Sequence, residues 1–488
     1  MAVISANSCR GLRWFNIAAE HNWLAVLCFI WLVLQMPLWW LPPHDDALGH
    51  IFPQAWMLFR EPWNLHAIAT MHAAEHPPLL PGIIMIGWKV LGINLVWPHL
   101  VVSLLGMVTI IGTYKLGLTI LDKRNALAAA ICMGTGSVFF AQATNPYLEI
   151  PVTAGLVWVL CNLISRNHVL LAISVAFMTL SKETSFPLIV PIAAYIILAG
   201  NERFGKNQAK LLASILVGSI PALAWIAFAW VEKGALFADS VSAATTNGST
   251  PTGVYELVRK LALGPIQIGV MGLWVPLAAI VCFLICTGPR RYLHQRLTLS
   301  TSRSRILLFL GVALTSIAIH AFISIGLNRY YLPILPVLWV MAWRLLPVSS
   351  PMIRIAVISV GLVWSLFCYF HGMRYADTED RYEAIRYVSA HVKVDQNLDR
   401  LGASGVVLTS YPSTTELSLP CAGYVSRPYS VLEVVTTSDN DLQNVRWAVV
   451  GTKGMHYDKV LPHLTGRNIS VVDRRVQGSE EVVLYAVE

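Results

Sequence analysis

The chain has 488 residues, of which 56% are hydrophobic and only 13% are charged. A soluble protein carries about 25% charged residues, so this composition excludes an ordinary soluble fold and indicates a polytopic membrane protein. The net charge of +8 does not indicate a nucleic-acid partner, because the basic residues lie in short segments between apolar runs. The eight cysteines fall mostly in apolar runs and predict no disulfide framework.

Eleven apolar runs predict as many membrane-spanning helices. They cover residues 23–41, 96–120, 126–142, 147–165, 167–181, 185–200, 210–231, 266–287, 306–326, 329–347 and 352–372. Arg10 and Arg13 precede the first run, which predicts a cytoplasmic N-terminus, and no small-residue cleavage site follows it. With alternating orientation, every strongly basic short loop then lies on the inner side. The predicted fold class is therefore an α-helical polytopic membrane domain over residues 1–374.

Two long loops are predicted on the outer side. The first, residues 42–95, contains the apolar segment Leu79–Leu91, which as a helix is about 20 Å long and shorter than a ~30 Å hydrocarbon core. We therefore predict an interfacial or re-entrant helix there. The second loop, residues 232–265, is rich in Ser, Thr and Gly, which suits either a mobile lid or a plain connection.

Ionisable residues concentrate on the outer side of this predicted topology. Asp45 and Asp46 directly follow the first apolar run, and acids at a membrane surface cost free energy unless they have a use. The other members are Glu75, His76, Glu149, Lys182, Glu183, Arg329, Tyr330 and Tyr331. These residues come from five separate places in the chain, and such convergence is typical of an active site.

Residues 375–488 differ in composition, with many charged residues and no spanning run. Apolar runs at residues 405–410, 446–451, 469–472 and 481–487 predict strands. Residues 381–392 predict an amphipathic helix, because Ile385, Val388 and Val392 recur on one side. With eleven spans before it, this segment is predicted to be a soluble extracytoplasmic α/β domain.

The motifs together resemble the GT-C membrane glycosyltransferases, in particular the branch of protein mannosyltransferases and lipid A aminoarabinose transferases. The matching segments, in order, are Asp45-Asp46, Glu75-His76-Pro77-Pro78-Leu79, Tyr147-Leu148-Glu149-Ile150-Pro151, Ser181-Lys182-Glu183 and Arg329-Tyr330-Tyr331-Leu332-Pro333. The resemblance implies an inverting transferase that moves a sugar from a polyprenyl-phosphate carrier to an acceptor hydroxyl outside the cytoplasm. It also implies a glycolipid, polysaccharide or protein acceptor and a location in a bacterial inner membrane.

The resemblance implies roles for individual residues. Asp45 matches the first-loop acid of the family and is the predicted general base, and Asp46 is predicted to have a secondary catalytic role, such as orienting a neighbour. The residues predicted to bind the donor phosphate, whose charge needs cations or a metal, are His76, Lys182, Arg329 and Tyr330. A divalent cation held by Glu75, His76 and Glu149 is also implied, although the branch has Lys in place of His76 and Asp in place of Glu149.

Simpler interpretations remain open for several of these residues. Lys182 and Glu183 also suit an ion pair at the membrane interface, and Arg329 suits an anchor at a helix end. Glu149 suits a cap of the helix that begins near Pro151. Tyr330 and Tyr331 suit interface aromatics, and His320 suits a hydrogen bond to a neighbouring helix. Two other functions also remain open: a transporter or flippase for a lipid-linked saccharide, and a non-catalytic envelope scaffold.

Overall fold

The computed structural model describes residues 23–71, 76–198, 205–234, 254–287, 300–323, 328–346, 351–371, 382–435, 437, 441–452, 457–478 and 480–488. Most of the described chain is helical. The helices up to residue 198 are Trp23–Leu38, Phe52–Arg60, Leu65–Thr70, Leu79–Leu91, Val96–Gly117, Lys123–Thr135, Ser137–Gln142, Glu149–Ser165, His168–Ser181 and Ile189–Leu198. Those after it are Lys206–Lys233, Val254–Ile268, Trp274–Thr287, Ser300–Ile323, Leu335–Leu345, Pro351–His371, Glu383–Arg400, Ser413–Ser418 and Tyr457–Val460.

Among the described residues, four helices have the length and apolar composition to cross a membrane. They are Val96–Gly117, Lys206–Lys233, Ser304–Ala321 and Pro351–His371. The bent pair Val254–Ile268 and Met271–Val281 makes a fifth if it counts as one span. Shorter helices, several of them apolar over 10–17 residues, stand at the other predicted spans. The predicted membrane protein is confirmed, while the number of eleven spans stays a prediction.

Two predicted segments differ from the structure. The run 126–142 is not one helix, because the chain turns at Gly136 between Lys123–Thr135 and Ser137–Gln142. Part of the predicted second loop is helical, since Val254–Ile268 overlaps its end, and residues 235–253 lie outside the described residues. In contrast, Leu79–Leu91 is a helix with the predicted bounds.

A close pair of helices brings two distant parts of the sequence together. The helices Glu149–Ser165 and His168–Ser181 form an antiparallel hairpin. Gly155 lets them approach closely, because a β-carbon built there would lie only 2.7 Å from the Cβ of Met178. The first residue of one helix therefore lies beside Lys182, which directly follows the other.

The tail of the chain contains a five-stranded sheet. Its strands are β1 (Val406–Thr409), β2 (Ser430–Glu433), β3 (Val445–Gly451), β4 (Ile469–Gln477) and β5 (Glu480–Val487), in the order β2-β1-β3-β5-β4. The pairs β1–β2 and β1–β3 are parallel, and β3–β5 and β4–β5 are antiparallel. Strands stand at all four predicted positions, and β2 is the one that the apolar pattern missed.

The amphipathic helix of the tail lies on one face of this sheet. It is Glu383–Arg400, longer than the predicted segment 381–392. Its buried residues Val394 and Leu398 pack against Val407 and Leu484 of the sheet. Since apolar side chains on both sides are removed from water, the tail has a hydrophobic core of its own. The predicted domain boundary at residues 374 and 375 lies outside the described residues.

Candidate active site

The first acidic pair meets a cation from a segment almost 300 positions later in the chain. An Nη2 of Arg329 donates to Oδ2 of Asp46 at 2.5 Å, and Nε2 of His50 lies 4.0 Å from Oδ1 of the same carboxylate. The Arg329 side chain is only 4% exposed, whereas that of Asp46 is 46% exposed. The buried guanidinium is therefore held by an acid that stays open to solvent.

The second cation lies between the helices of the hairpin. Nζ of Lys182 donates to Oε1 of Glu149 at 2.7 Å, and both side chains are buried. The neighbouring Glu183 has a different partner, because its Oε2 lies 2.6 Å from Nδ1 of His76. Adjacent residues in the chain thus reach two separate elements.

Aromatic rings join these ion pairs into one group. The Tyr330 ring lies 4.6 Å from Nζ of Lys182 and 5.6 Å from the guanidinium carbon of Arg329. The ring of Tyr147 lies 4.9 Å from the same carbon. We call the following residues the span-end cluster: Asp45, Asp46, His76, Glu149, Lys182, Glu183, Arg329 and Tyr330. All the described members of the predicted site thus lie in one place, and Glu75 lies outside the described residues.

Asp45 has an unusual backbone conformation. Its φ is 50°, in the left-handed region that residues with a β-carbon rarely adopt. The side chain is half-buried, and the π-helical turn Ala47–Ile51 begins two residues later. The left-handed residue thus stands between the irregular segment 42–44 and this turn.

The charges of the cluster fix its protonation. Burial is the largest single influence on the pKa of Asp46 and raises it, but the charges of Arg329, His50, Lys182 and His76 together lower it more. The net pKa lies below the usual value, and Asp46 is ionised. Burial lowers the pKa of Lys182, but Glu149, Tyr330 and Glu183 together raise it more, so the ammonium keeps its charge. Burial also lowers the pKa of His44, with help from His99 and Arg329, to about 3, so this imidazole is neutral.

Two of the three residues predicted to hold a metal are paired with other side chains. His76 and Glu149 are committed to Glu183 and Lys182, and the ammonium of Lys182 lies where a cation would balance Glu149. Among the described residues, no three His, Cys, Asp or Glu side chains are grouped so that they hold an ion. Glu75 is not among the described residues, so the metal site stays a prediction.

The simpler interpretations of three charged residues are wrong. Lys182 and Glu183 do not form an interface pair, because both are buried and each has another partner. Glu149 begins its own helix two residues before Pro151, and its carboxylate binds Lys182.

Three aromatic residues also differ from their simpler interpretations. Tyr331 is 2% exposed and lies in the protein core, so it is not an interface aromatic. Tyr330 packs against the buried cations. The ring of His320 stacks on Tyr330 with centroids 5.5 Å apart, and its Nδ1 lies 2.8 Å from the carbonyl of Ser316 in its own helix.

Several residues of the site carry no predicted role. Tyr147 stands in a quoted motif, and its position before Glu149 was the only available signal. Tyr411 and Tyr424 of the tail also reach the site: their hydroxyls donate to the carbonyls of Asp45 at 3.0 Å and Pro43 at 2.9 Å. No pattern in the sequence predicts these two bonds, because a backbone carbonyl is an acceptor at every residue.

An open apolar cavity of about 380 Å³ lies between the helices Leu65–Thr70, Leu79–Leu91, His168–Ser181 and Lys206–Lys233. Its wall includes Pro78 and Leu79, which closely follow His76, and Leu180, which closely precedes Lys182. Trp225 and Phe228 of the helix Lys206–Lys233 complete the apolar lining. Two segments that carry residues of the span-end cluster therefore also contribute to the wall of this cavity.

A second ionisable group lies in the tail. We call it the tail cluster; its fully buried members are His391, Asp395, Ser413, Glu416 and Glu480. Nδ1 of His391 lies 2.9 Å from Oε2 of Glu416, and Nε2 lies 3.5 Å from Oε1 of Glu480. The Ser413 hydroxyl donates to the same oxygen of Glu416 at 2.8 Å. The cluster has more acids than bases and no exposed member.

The chain is similar to known membrane transferases. Residues 75–225 match the family model described as dolichyl-phosphate-mannose-protein mannosyltransferase. The fold resembles that of ArnT from Cupriavidus metallidurans bound to undecaprenyl phosphate, with a TM-score of 0.63, 14% identity, and 95% of this chain and 98% of that chain covered. It also resembles arabinofuranosyltransferase AftD from Mycobacteria, with a TM-score of 0.54, 16% identity, and 96% of this chain and 40% of that chain covered. No curated protein sequence matches significantly. The GT-C resemblance read from the sequence is thereby confirmed.

Proposed function

Because the chain has the fold of the GT-C membrane glycosyltransferases, we propose that it is an inverting glycosyltransferase that uses a polyprenyl-phosphate-linked sugar. The observation that carries this proposal is the span-end cluster, in which the acid Asp45 stands on the same short segment as the ion pair of Asp46 with the buried Arg329. A carboxylate next to fixed cations is what transfer from a lipid phosphate to a hydroxyl requires.

Asp45 acts as the general base in this proposal. It takes the proton of the acceptor hydroxyl while that oxygen forms a bond to the anomeric carbon of the sugar. The bond from the anomeric carbon to the phosphate oxygen breaks, and its electron pair leaves with the lipid phosphate. Attack opposite to the leaving group inverts the configuration at the anomeric carbon.

The cations stabilise the phosphate as its negative charge increases. Arg329 and Lys182 are held in place by Asp46 and Glu149 before any donor binds, so little reorganisation is needed during the reaction. Tyr330 packs against Lys182, and His76 pairs with Glu183, the next residue in the chain, so both are assigned to the same phosphate site. Asp46 then orients Arg329 and takes no proton, which agrees with its lowered pKa.

The apolar cavity supports a lipid-linked donor. Its lining of Pro78, Leu79, Leu180, Trp225 and Phe228 suits the first isoprene units of a carrier such as undecaprenyl phosphate. We assign the acceptor only as a hydroxyl of a glycolipid, polysaccharide or protein. The proposed location is a bacterial inner membrane, with the tail on the periplasmic side.

A transfer assay tests this function. The full-length protein in nanodiscs is incubated with radiolabelled polyprenyl-phosphate sugars and crude envelope acceptors, and is compared with Asp45→Asn and with Asp395→Asn as a matched control from the tail. We expect label in an acceptor with the wild type and with Asp395→Asn, and none with Asp45→Asn. Normal transfer by Asp45→Asn contradicts the role of Asp45. Donor that binds but is never transferred by the wild type favours a transporter or a scaffold.

A further inference from the structure

Three consecutive backbone carbonyls of the Asp45 segment accept hydrogen bonds from side chains far away in the sequence. The carbonyl of Pro43 accepts from the hydroxyl of Tyr424 at 2.9 Å, and that of Asp45 accepts from the hydroxyl of Tyr411 at 3.0 Å. Between them, the carbonyl of His44 accepts from Nδ2 of Asn145 at 3.1 Å. Two of these three donors belong to the tail.

From this arrangement we infer that Tyr411 and Tyr424 are positioning residues for Asp45, so that the tail is part of the catalytic apparatus. The inference rests on the proposed role of Asp45 as the base. Neither tyrosine hydroxyl contacts the reacting atoms in this account. Each acts through the backbone that carries the carboxylate.

The backbone at Asp45 needs such support. Its left-handed φ of 50° costs free energy for a residue with a β-carbon, and such a conformation persists only where the surroundings determine it. The hydrogen bond to the carbonyl of Asp45 restricts the peptide plane after this residue. The bonds to the carbonyls of His44 and Pro43 restrict the two peptide planes before it. The direction of the Asp45 side chain follows from those planes.

The shape of the contact agrees with this role. Gly49 lies under the Tyr411 ring, and a β-carbon at Gly49 would lie 2.5 Å from the Tyr411 hydroxyl oxygen. Any side chain at residue 49 would therefore push the hydroxyl away from the carbonyl of Asp45. Tyr424 is fully buried at the same junction, so its bond is protected from competing water.

The two tyrosines stand on a rigid base. They flank the short segment that carries Ser413 and Glu416, and Glu416 is tied to His391 of the helix Glu383–Arg400 at 2.9 Å. A fully buried, hydrogen-bonded anchor between them limits the movement of both hydroxyls. The tail cluster thus holds the segment that, in turn, holds the Asp45 loop.

Tyr411→Phe, Tyr424→Phe and their double variant test the inference in the full-length protein. Each change removes one hydroxyl and keeps the ring. Tyr429→Phe is the matched control, because it removes a tyrosine hydrogen bond of the same tail, to Asp399 at 2.6 Å, away from the Asp45 loop. We expect kcat to fall between about tenfold and a hundredfold in the test variants, with the donor KM within about twofold of wild type. Gly49→Ala should give the same pattern.

A kcat equal to that of Tyr429→Phe in all test variants overturns the inference. So does a parallel loss of kcat, donor binding and melting temperature, because that pattern indicates a merely structural role.

Hydrogen exchange separates this inference from the proposed function. Amides of residues 45–52 should exchange about tenfold faster in Tyr411→Phe and Tyr424→Phe than in Tyr429→Phe, whether or not the protein transfers sugar. If the wild type transfers no sugar but exchange rises as expected, the proposed function is wrong and the positioning contact stands. If the wild type transfers sugar but exchange in the variants is unchanged, the proposed function stands and the positioning contact is wrong.

Discussion

The span-end cluster and the tail cluster are both built from closely packed acids and bases, but they differ in access and in charge balance. In the span-end cluster, buried cations pair with acids one to one, and the Asp46 side chain is 46% exposed. In the tail cluster, three carboxyl groups surround one imidazole and every member is fully buried. A ligand can reach the first group, whereas the second is closed to solvent and ties the helix Glu383–Arg400 to the segment that carries Ser413 and Glu416.

The two clusters also differ in the protonation of their acids. The pKa of Asp46 is lowered, so this acid is ionised near neutral pH. In the tail, burial and the charge of Glu416 raise the pKa of Asp395 well above its usual range, so Asp395 keeps its proton. Burial lowers the pKa of His391, and the carboxylates of Glu416 and Glu480 reverse this and raise it to about 10. The comparison teaches that burial of charges alone does not identify an active site.

Among changes to the ion pairs of the two clusters, the largest effect is expected from removing a cation of the span-end cluster. Arg329→Gln should lower sugar transfer by about 10²- to 10³-fold, because it removes a fixed charge from the developing phosphate. Asp46 loses its partner but remains solvated, so the protein should fold. Arg474→Gln is the control, since Arg474 also forms an ion pair, with Glu481, but at the exposed surface. Equal transfer by both variants would contradict the role of Arg329.

A second pair of variants separates the effect on stability from the effect on activity within the span-end cluster. Lys182→Met leaves the carboxylate of Glu149 buried without its cation, which should lower the free energy of unfolding by about 3–5 kcal/mol. The double variant Lys182→Met/Glu149→Gln removes both charges and should recover most of that loss. Sugar transfer should stay low in both variants. Thermal unfolding measures the change in stability, and the label assay measures transfer. Recovery of transfer along with stability would show that Lys182 has only a structural role.

The tail cluster predicts a pH dependence of stability. The folded pKa of His391 is about 10, above its unfolded value of 6.5, so its stabilising effect is complete below pH 6.5 and is lost as the pH rises through 10. The raised pKa of Asp395 acts in the same direction, since the folded state again binds more protons. We expect the urea midpoint of the tail, followed by pulse proteolysis, to fall between pH 6.5 and 10. His391→Gln should flatten this slope, and an unchanged slope would contradict the assignment.

The smallest effect is expected from replacing an acid that is already protonated with its neutral amide. Asp395→Asn keeps the shape and the neutral charge of the carboxyl group, so the free energy of unfolding at pH 7 should change by less than about 1 kcal/mol. Asp395→Leu provides the contrast, because it changes the shape of the site. A large loss with Asn, measured by urea unfolding at pH 7, would mean that Asp395 is ionised and that the two clusters are alike.

Much of the fold and the members of the candidate site could be predicted from the sequence, because apolar runs indicate membrane helices and acidic residues beside such runs are unusual. The partners could not. Lys182 binds Glu149 and not the adjacent Glu183, since the choice depends on how two helices turn toward each other at Gly155. The strand β2 escaped detection because only two of its four residues are apolar. The bonds from Tyr411 and Tyr424 end on backbone carbonyls, which have no sequence signature.

The central claim is that Asp45 accepts the proton of the acceptor while Arg329 binds the donor phosphate, and one experiment tests it directly. Binding of a polyprenyl-phosphate sugar and single-turnover transfer are measured for Asp45→Asn and Arg329→Gln in the same nanodiscs. We expect Asp45→Asn to bind donor like the wild type and to lose transfer by about 10²- to 10⁴-fold, and Arg329→Gln to bind donor weakly. Donor binding lost in Asp45→Asn, with transfer by the bound fraction unchanged, would contradict the account.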